Sequence, residues 1–418
     1  MNTRSIVGAW VVTLAVLVIV PLMLAPSQVG AMSQMLIAAL FALAFSLLIG
    51  QGGMLSFGHA AYFAIGCFAT VHAMDAVDKG SLVLPTPLMP IVGGVAALIV
   101  GIVAGYFATL RSGVYFSMVT LAIAELLHTI APNLKELFGG ETGVSSMRQP
   151  WGAIGFGQEI QVYYLVLVWV ALAALAMFLF TRTAFGRLTV ALRENERRVA
   201  FLGYNVHRTK IVVFALSAMF SGIAGGLLAL TNESANYLLF DLSYSANVLL
   251  YSFIGGTAFF FGPAAGAAVM TVFGYAVSEM THQWLLYQGL VFVAVMMYAP
   301  SGLAGFVVTH VRQIARGEGR DLRTRACMCA FSIVIAACLV FLCELAGAAF
   351  SRDYKAKIAR DGIWDPVSIF GHGWAPDHAL VWVVPVLAIV ACGWALHRIT
   401  RAVPARLALA TLQEGGNS

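Results

Sequence analysis

An all-α, polytopic membrane protein is the fold class this sequence predicts, and three observations point to it. Hydrophobic residues make up 60% of the 418 and charged residues 10%, against roughly 25% charged in soluble domains, and the mean hydropathy is +0.87. Apolar runs close to the ~20 residues that cross a bilayer follow one another along most of the chain, leaving no room for a soluble domain of ordinary size. Basic residues gather in a few loops that a single parity places on one side, as loops facing the cytoplasm do. The net charge of +5 therefore calls for no nucleic acid.

The first apolar run, 6–25, follows Arg4 without a small-residue cleavage site, so it reads as a retained helix. Runs at 31–50, 54–73, 88–110, 113–131, 161–181, 210–230, 244–261, 264–280 and 284–299 complete a core of about ten transmembrane helices. Two extra C-terminal helices follow at 326–348 and 379–399. With the N-terminus inside, Arg111, the 182–210 loop, the 312–325 segment and the 398–406 tail are cytoplasmic. The loops 132–160 and 351–378 are then external, and Tyr163, Tyr164, Trp284 and Trp382 lie near span starts as interfacial anchors. This organisation gives a core over 1–306, a basic cytoplasmic segment over 307–325, and a C-terminal extension over 326–418. Cys327, Cys329, Cys338 and Cys343 fall in one apolar stretch, where cysteine acts as a small hydrophobe. That C-x-C pair lacks the second pair of a zinc site.

Two stretches depart from plain lipid-facing helix: GQGGMLSFGHAAYFAIG over 50–66 and GGTAFFFGPAAG over 255–266. Each has a Gly-Gly pair, a short run ending in Phe-Gly, and then small residues. Non-helical backbone at membrane depth needs protein or a watery cavity around it. Gly/Pro-interrupted segments in both halves of a transporter point to a translocation path, while close helix packing through small residues accounts for the same spacing. Ionisable residues inside spans are few. His59 follows the first break. Glu125 and His128 share a face one turn apart, as a proton relay or as a polar contact near the outer surface. Gly139, Gly140, Glu141, Thr142 and Gly143 form a flexible external loop, either a turn or a lip over a pore.

Residues 181–210, TRTAFGRLTVALRENERRVAFLGYNVHRTK, are the only long charged passage in the first three hundred. Leu188, Leu192, Val199 and Leu202 recur at helical spacing with Asn195 on the same stripe, and charges cover the other faces. Glu194 is spaced to pair with Arg197 or Arg198, and Gly203 marks a helix end. A short amphipathic helix at the membrane surface is expected. No phosphate loop of the form G-x-x-x-x-G-K-[ST], and no H-E-x-x-H or G-x-S-x-G motif, occurs. An enzyme is not expected, nor a cofactor bound by this chain.

Seven collinear stretches together resemble one family, the M-type permease subunit of bacterial branched-chain amino-acid ABC importers of the Liv type. They are LSFGHAAYFAIG (55–66), RSGVYFSMVTLAIAE (111–125), GGETGV (139–144), FGRLTVALRENERRVAFLGYNVHRTK (185–210), FSGIAGGLLAL (220–230), GGTAFFFGPAAGA (255–267) and APSGLAGF (299–306). The resemblance implies that the charged loop is a coupling helix docking into ATPase subunits, through Arg187, Leu192, Arg193, Glu194, Asn195, Arg197 and Gly203. It implies a translocation path along Gly53, Ser56, Gly58, His59, Tyr115, Thr120, Glu125, Gly140, Thr142, Gly255, Gly256 and Pro263. It also implies partners: a second homologous permease subunit, two ATP-binding subunits and an extracytoplasmic solute-binding protein, with the chain itself in the lipid of the bacterial inner membrane. The chain departs from the family in having Phe138 where a threonine is usual, and in running on for over a hundred residues past the P-x-G-L-x-G stretch. The rival readings are a proton-coupled secondary transporter using Glu125 and His128, and a passive channel. Neither needs a charged inner helix.

Overall fold

A computed structural model describes residues 12–151, 155–278, 281, 283–298, 301–306, 308, 322–352, 354–356, 367–369, 372–376 and 378–414. Residues 6–11 of the first expected span, most of the 307–325 basic segment and much of the 351–378 loop lie outside the described residues. The chain forms two compact units, residues 1–276 with 291–307, and residues 277–290 with 308–418.

In the first unit, α1 (Val12–Met23) leads into α2 (Pro26–Ser46). Proline at the first turn of α2 forfeits only an N–H that would have no helical partner, and the Gln28 side chain accepts from the Ala25 amide at 3.2 Å. The helix ends in a π-helical turn, Leu47–Gln51, and the backbone then stays non-helical up to Gly58. The helices α3 (His59–Asp78), α4 (Met89–Ala108) and α5 (Val114–Ile130) follow, then the single turn α6 (Lys135–Phe138) and α7 (Glu159–Arg182). Two short helices, α8 (Ala184–Glu194) and α9 (Glu196–Phe201), precede the long α10 (Val206–Asn232). Next come α11 (Leu242–Gly255), α12 (Gly262–Ser278) and α13 (Trp284–Tyr298), of which residues 277–290 belong to the second unit. Among the described residues, seven helices are long and apolar enough to cross a membrane, with shorter apolar helices beside them. Two expected spans differ in their bounds, one shifted along the chain and one shortened. The span expected at 54–73 starts at His59, and the span at 244–261 stops at Gly255, because glycine-led breaks interrupt the helix there.

α10 is the most enclosed helix, packed on α2, α3, α4 and α7. Small residues make this possible. Where α3, α4 and α10 cross, a Cβ on Gly66 would lie 2.2 Å from the Gly222 oxygen, and one on Gly222 would lie 2.5 Å from the Gly93 oxygen. At the external end, β1 (Val144–Ser145) pairs antiparallel with β2 (Ser234–Ala235), setting Val144 opposite Ala235.

In the second unit, α14 (Leu322–Ala349) packs against α15 (Ala379–Glu414), and β3 (Val367–Ile369) forms a hairpin with β4 (His372–Trp374). Glu344 accepts hydrogen bonds from the Thr281 hydroxyl and, at 2.6 Å, from the Tyr287 hydroxyl. That satisfies a carboxyl that would be costly inside a membrane helix.

Candidate functional site

The first break is closed by hydroxyl groups from other helices. Ser117 Oγ donates to the Leu55 carbonyl at 2.6 Å, and Thr120 Oγ1 accepts from the Phe57 amide at 3.2 Å. Ser56 Oγ accepts from the Gly58 amide, and Ser245 of α11 accepts from the Ala60 amide at 2.9 Å. These partners replace the helical hydrogen bonds that the break gives up. Gly58 lies against α5, where a Cβ would fall 2.1 Å from the Thr120 oxygen. His59 is fully buried among Phe41, Phe45, Tyr62 and Phe214. Ser217 Oγ gives its proton to the Ala44 carbonyl at 2.6 Å, so it accepts from His59 Nε2 at 2.9 Å. That assigns the proton to Nε2 and leaves Nδ1 as a buried acceptor.

The second break is closed by backbone on backbone. A Cβ on Gly255 would meet the Gly262 oxygen at 1.9 Å, and one on Gly256 would meet the Ser301 oxygen at 2.3 Å. Gly256 has φ +98°, a conformation that glycine reaches without steric cost. Pro263, at the start of α12, is buried beside them. The two breaks also meet, since a Cβ on Gly50 would lie 3.2 Å from the Thr257 oxygen.

The charged loop is two helices and not the single amphipathic helix expected. Asn195 is the corner, with extended backbone (φ −158°, ψ 100°), and its side chain caps α9 by accepting from the Arg198 amide at 3.0 Å. The continuous apolar stripe does not form either. Leu192 and Val199 are buried, whereas Leu202 is 68% exposed, because the corner at Asn195 turns the helical phase. The expected pairing of Glu194 with Arg197 or Arg198 is absent among the described residues. Glu196 instead pairs with Lys210 at 2.6 Å. Lys210, the last charge of the passage, is 3% exposed and also donates to Ser112 Oγ at 2.7 Å, while Ser112 donates to Glu196 at 3.0 Å. Arg193 reaches from α8 to donate to the Gly50 carbonyl, and a Cβ on Gly53 would fall 2.5 Å from its Cγ. Gly53, Met54, Arg111, Ser112, Glu196 and Lys210 share the wall of an inner cavity of about 270 Å³. Arg187, Glu194 and Arg197 are exposed, and Gly203 ends α9 with φ +86°.

The structure thus brings Gly53, Ser56, Gly58, His59, Thr120, Gly255, Gly256 and Pro263 into one region, with Arg193 touching it. Tyr115 (69% exposed) and Glu125 lie on other faces of α5. Glu125 stands 3.7 Å from His128 Nδ1 with a side chain 59% exposed. Gly140 and Thr142 sit in the external turn, which takes one defined shape. Gly139, Gly140 and Gly143 all have positive φ, Thr142 donates to the Gly139 carbonyl at 3.0 Å, and a Cβ on Gly143 would clash with the Ala235 oxygen at 2.3 Å. Nearby, Asp241 caps α11 by accepting from the Ser243 amide at 2.7 Å. Hydrogen bonds from Ser243 hold its carboxyl below the usual carboxylate range, and His128 adds to the shift. Sequence reasoning missed Ser117 and Ser245, ordinary helix residues until the break places a backbone group beside them, and Ser112 and Ser217, which bond Lys210, Glu196, His59 and the Ala44 carbonyl. It also missed Arg148, which donates to the Leu230 carbonyl at 2.7 Å and pairs with Glu233 at 3.2 Å at the end of α10.

A helical membrane bundle whose broken helices are satisfied internally and gripped from a surface loop defines a membrane transport permease. The chain belongs to the family described as the branched-chain amino acid transport system permease component, which matches residues 27–300. The high-affinity branched-chain amino acid transport system permease proteins LivM of Salmonella typhimurium and of Escherichia coli are each 27% identical to it, over 68% of this chain and 71% of theirs. The galactose/methyl galactoside import permease protein MglC of Salmonella typhimurium is 24% identical, over 60% of this chain and 79% of its own. No solved structure matches the chain. The protein is therefore a permease subunit of an ABC importer, multi-pass in the inner membrane, and not itself an enzyme. It works with ATPase and solute-binding partners.

Proposed function

We propose that this permease carries a branched-chain amino acid, or a small polar solute of similar chemistry, and that the α8–α9 pair is the surface on which the ATPases act. It pairs with a second, homologous permease subunit, two ATP-binding subunits dock from the cytoplasm, and an extracytoplasmic binding protein delivers solute from outside. The observation that carries the reading is Arg193. It belongs to the exposed helix pair, yet it holds the Gly50 carbonyl at the mouth of the first break. A push on α8 is delivered to the broken backbone through that bond, and through Glu196 and Lys210 to the α4–α5 corner at Ser112. Rigid short helices suit such transmission, because packed elements move as bodies. Arg187, Glu194 and Arg197 are left for the partner. Replacing Glu194 and Arg197 together by alanine is expected to lower ATPase co-purification about tenfold, the loss of ~1.4 kcal/mol of docking energy, with membrane levels unchanged. Wild-type co-purification and full uptake in that variant refutes the docking surface.

A further inference from the structure

At the external end, α2, α3, α10, α11 and α12 line a second, half-open cavity of about 270 Å³, which none of the expected path residues lines. The α2 and α10 walls run from polar to apolar, whereas Tyr244, Asn247, Tyr251 and Thr271 line the α11 and α12 side beside Val248. On α2 the lining residues Gln34, Ile37, Ala38 and Phe41 descend one stripe from the outer end inward, as residues three and four apart do on a helix. On α10 the wall passes from Asn232, at the helix end, to Leu228 one turn deeper. Gln34 Nε2 donates to Asn232 Oδ1 at 2.9 Å across the mouth, which still leaves acceptor capacity on Gln34 Oε1 and N–H donors on both amides. The floor is the Phe41 and Phe63 ring pair, with centroids 4.7 Å apart, and beneath it the Phe41 ring stacks on His59 at 6.2 Å. The cavity therefore stands directly above the cage that sits on the first break. Among the described residues, no Asp, Glu, Lys, Arg or His lines it.

We propose that this outer cavity is a transient binding site for a solute of amino-acid size, neutral overall, with one polar end and one aliphatic end, and that the Phe41–Phe63 pair closes its floor. The proposal rests on the reading of the chain as a solute-importing permease. The volume lies below the ~300 Å³ at which pockets for drug-sized ligands begin, which suits a smaller guest. A solute with net charge loses water there and finds no counter-charge, which is unfavourable. A zwitterion presents a donor and an acceptor to the amides at the mouth, and its aliphatic group meets Ile37, Phe41, Leu228 and Val248.

The test uses the whole importer in proteoliposomes, with leucine, ribose, glutamate and lysine as probes. Ala38 is a partly exposed wall residue, so Ala38→Phe fills the cavity from a position with room to change. Leucine uptake is expected to fall by an order of magnitude while ATP hydrolysis stimulated by loaded binding protein is retained. Leucine uptake at the wild-type rate in Ala38→Phe overturns the proposal. Should Ala38→Phe fail to assemble, Ala38→Cys in a background without native cysteines reports directly. Its modification by N-ethylmaleimide is expected to slow with leucine and not with ribose, glutamate or lysine, and no slowing by leucine overturns the site. Wild-type uptake of ribose or a charged probe in place of leucine is a failure of the substrate reading. Protection of Ala38→Cys by that other solute then overturns the aliphatic assignment as well.

Discussion

Around the first break, hydroxyl side chains of Ser117, Thr120 and Ser245 supply the hydrogen bonds that the interrupted helix lacks. Around the second, Gly255, Gly256, Gly262 and Gly302 press backbone against backbone, and a Cβ on any of them would come within 2.4 Å of a backbone atom. Hydroxyl hydrogen bonds are directional and exchangeable, each worth a net ~1 kcal/mol. Close glycine contacts have no alternative partner to move to. The first break also carries the Arg193 contact from the surface loop. These differences make the first break the jointed side of the site and the second its fixed wall.

The largest expected effect is at the wall. Gly255→Ala forces a methyl group 1.9 Å from the Gly262 oxygen, and overpacking of this kind costs ~1–3 kcal/mol or more. The variant should show a lowered melting temperature for the detergent-solubilised complex and little uptake. Melting and uptake both at wild-type values would mean that the wall is loose. At the joint, Arg193→Ala should leave the fold and the ATPase co-purification near wild type while separating ATP hydrolysis from uptake. Hydrolysis and uptake that remain coupled in this variant would remove the Gly50 contact from the mechanism. A smaller effect is expected from Thr120→Val, which keeps the shape but strips the acceptor from the Phe57 amide. An unsatisfied buried N–H costs ~1–3 kcal/mol, so uptake should fall several-fold, and Thr120→Ser should restore most of it.

Much of this was legible in the sequence. Apolar runs and the sidedness of basic loops gave the spans, and paired Gly-Gly and Phe-Gly signatures marked both breaks, although not that they touch. The corner at Asn195 was missed because Leu188, Leu192, Val199 and Leu202 hold helical spacing across it. The signal was present: asparagine followed by glutamate is a common helix start. The burial of Lys210 was not readable, because only the fold brings Ser112 and Glu196 to it across 98 and 14 positions. The same holds for Arg193, which lies 143 positions from the carbonyl it binds.

Gly203 offers the smallest and most discriminating test, because it is a glycine for a different reason from Gly58 or Gly255. At those two positions the constraint is space, whereas a Cβ on Gly203 would meet no atom within 4 Å, and the constraint is the dihedral angle of φ +86°. An L-residue held in that region costs roughly 1–2 kcal/mol, and asparagine tolerates it better than alanine does. Gly203→Ala should therefore lower the melting temperature by a few degrees, and Gly203→Asn by less, with uptake in both close to wild type. The order is diagnostic. If Gly203 only lets the chain turn from α9 into α10, asparagine outperforms alanine because dihedral preference decides. If the ATPases close tightly over this turn, the larger asparagine is the worse replacement, and co-purification falls in Gly203→Asn before it falls in Gly203→Ala. The exposed position and the capping of α10 by Asn205, which accepts from the Arg208 amide at 3.0 Å, favour the first order. Measuring both variants for melting temperature and ATPase co-purification decides whether the coupling surface ends at Arg197 or extends to the end of α9.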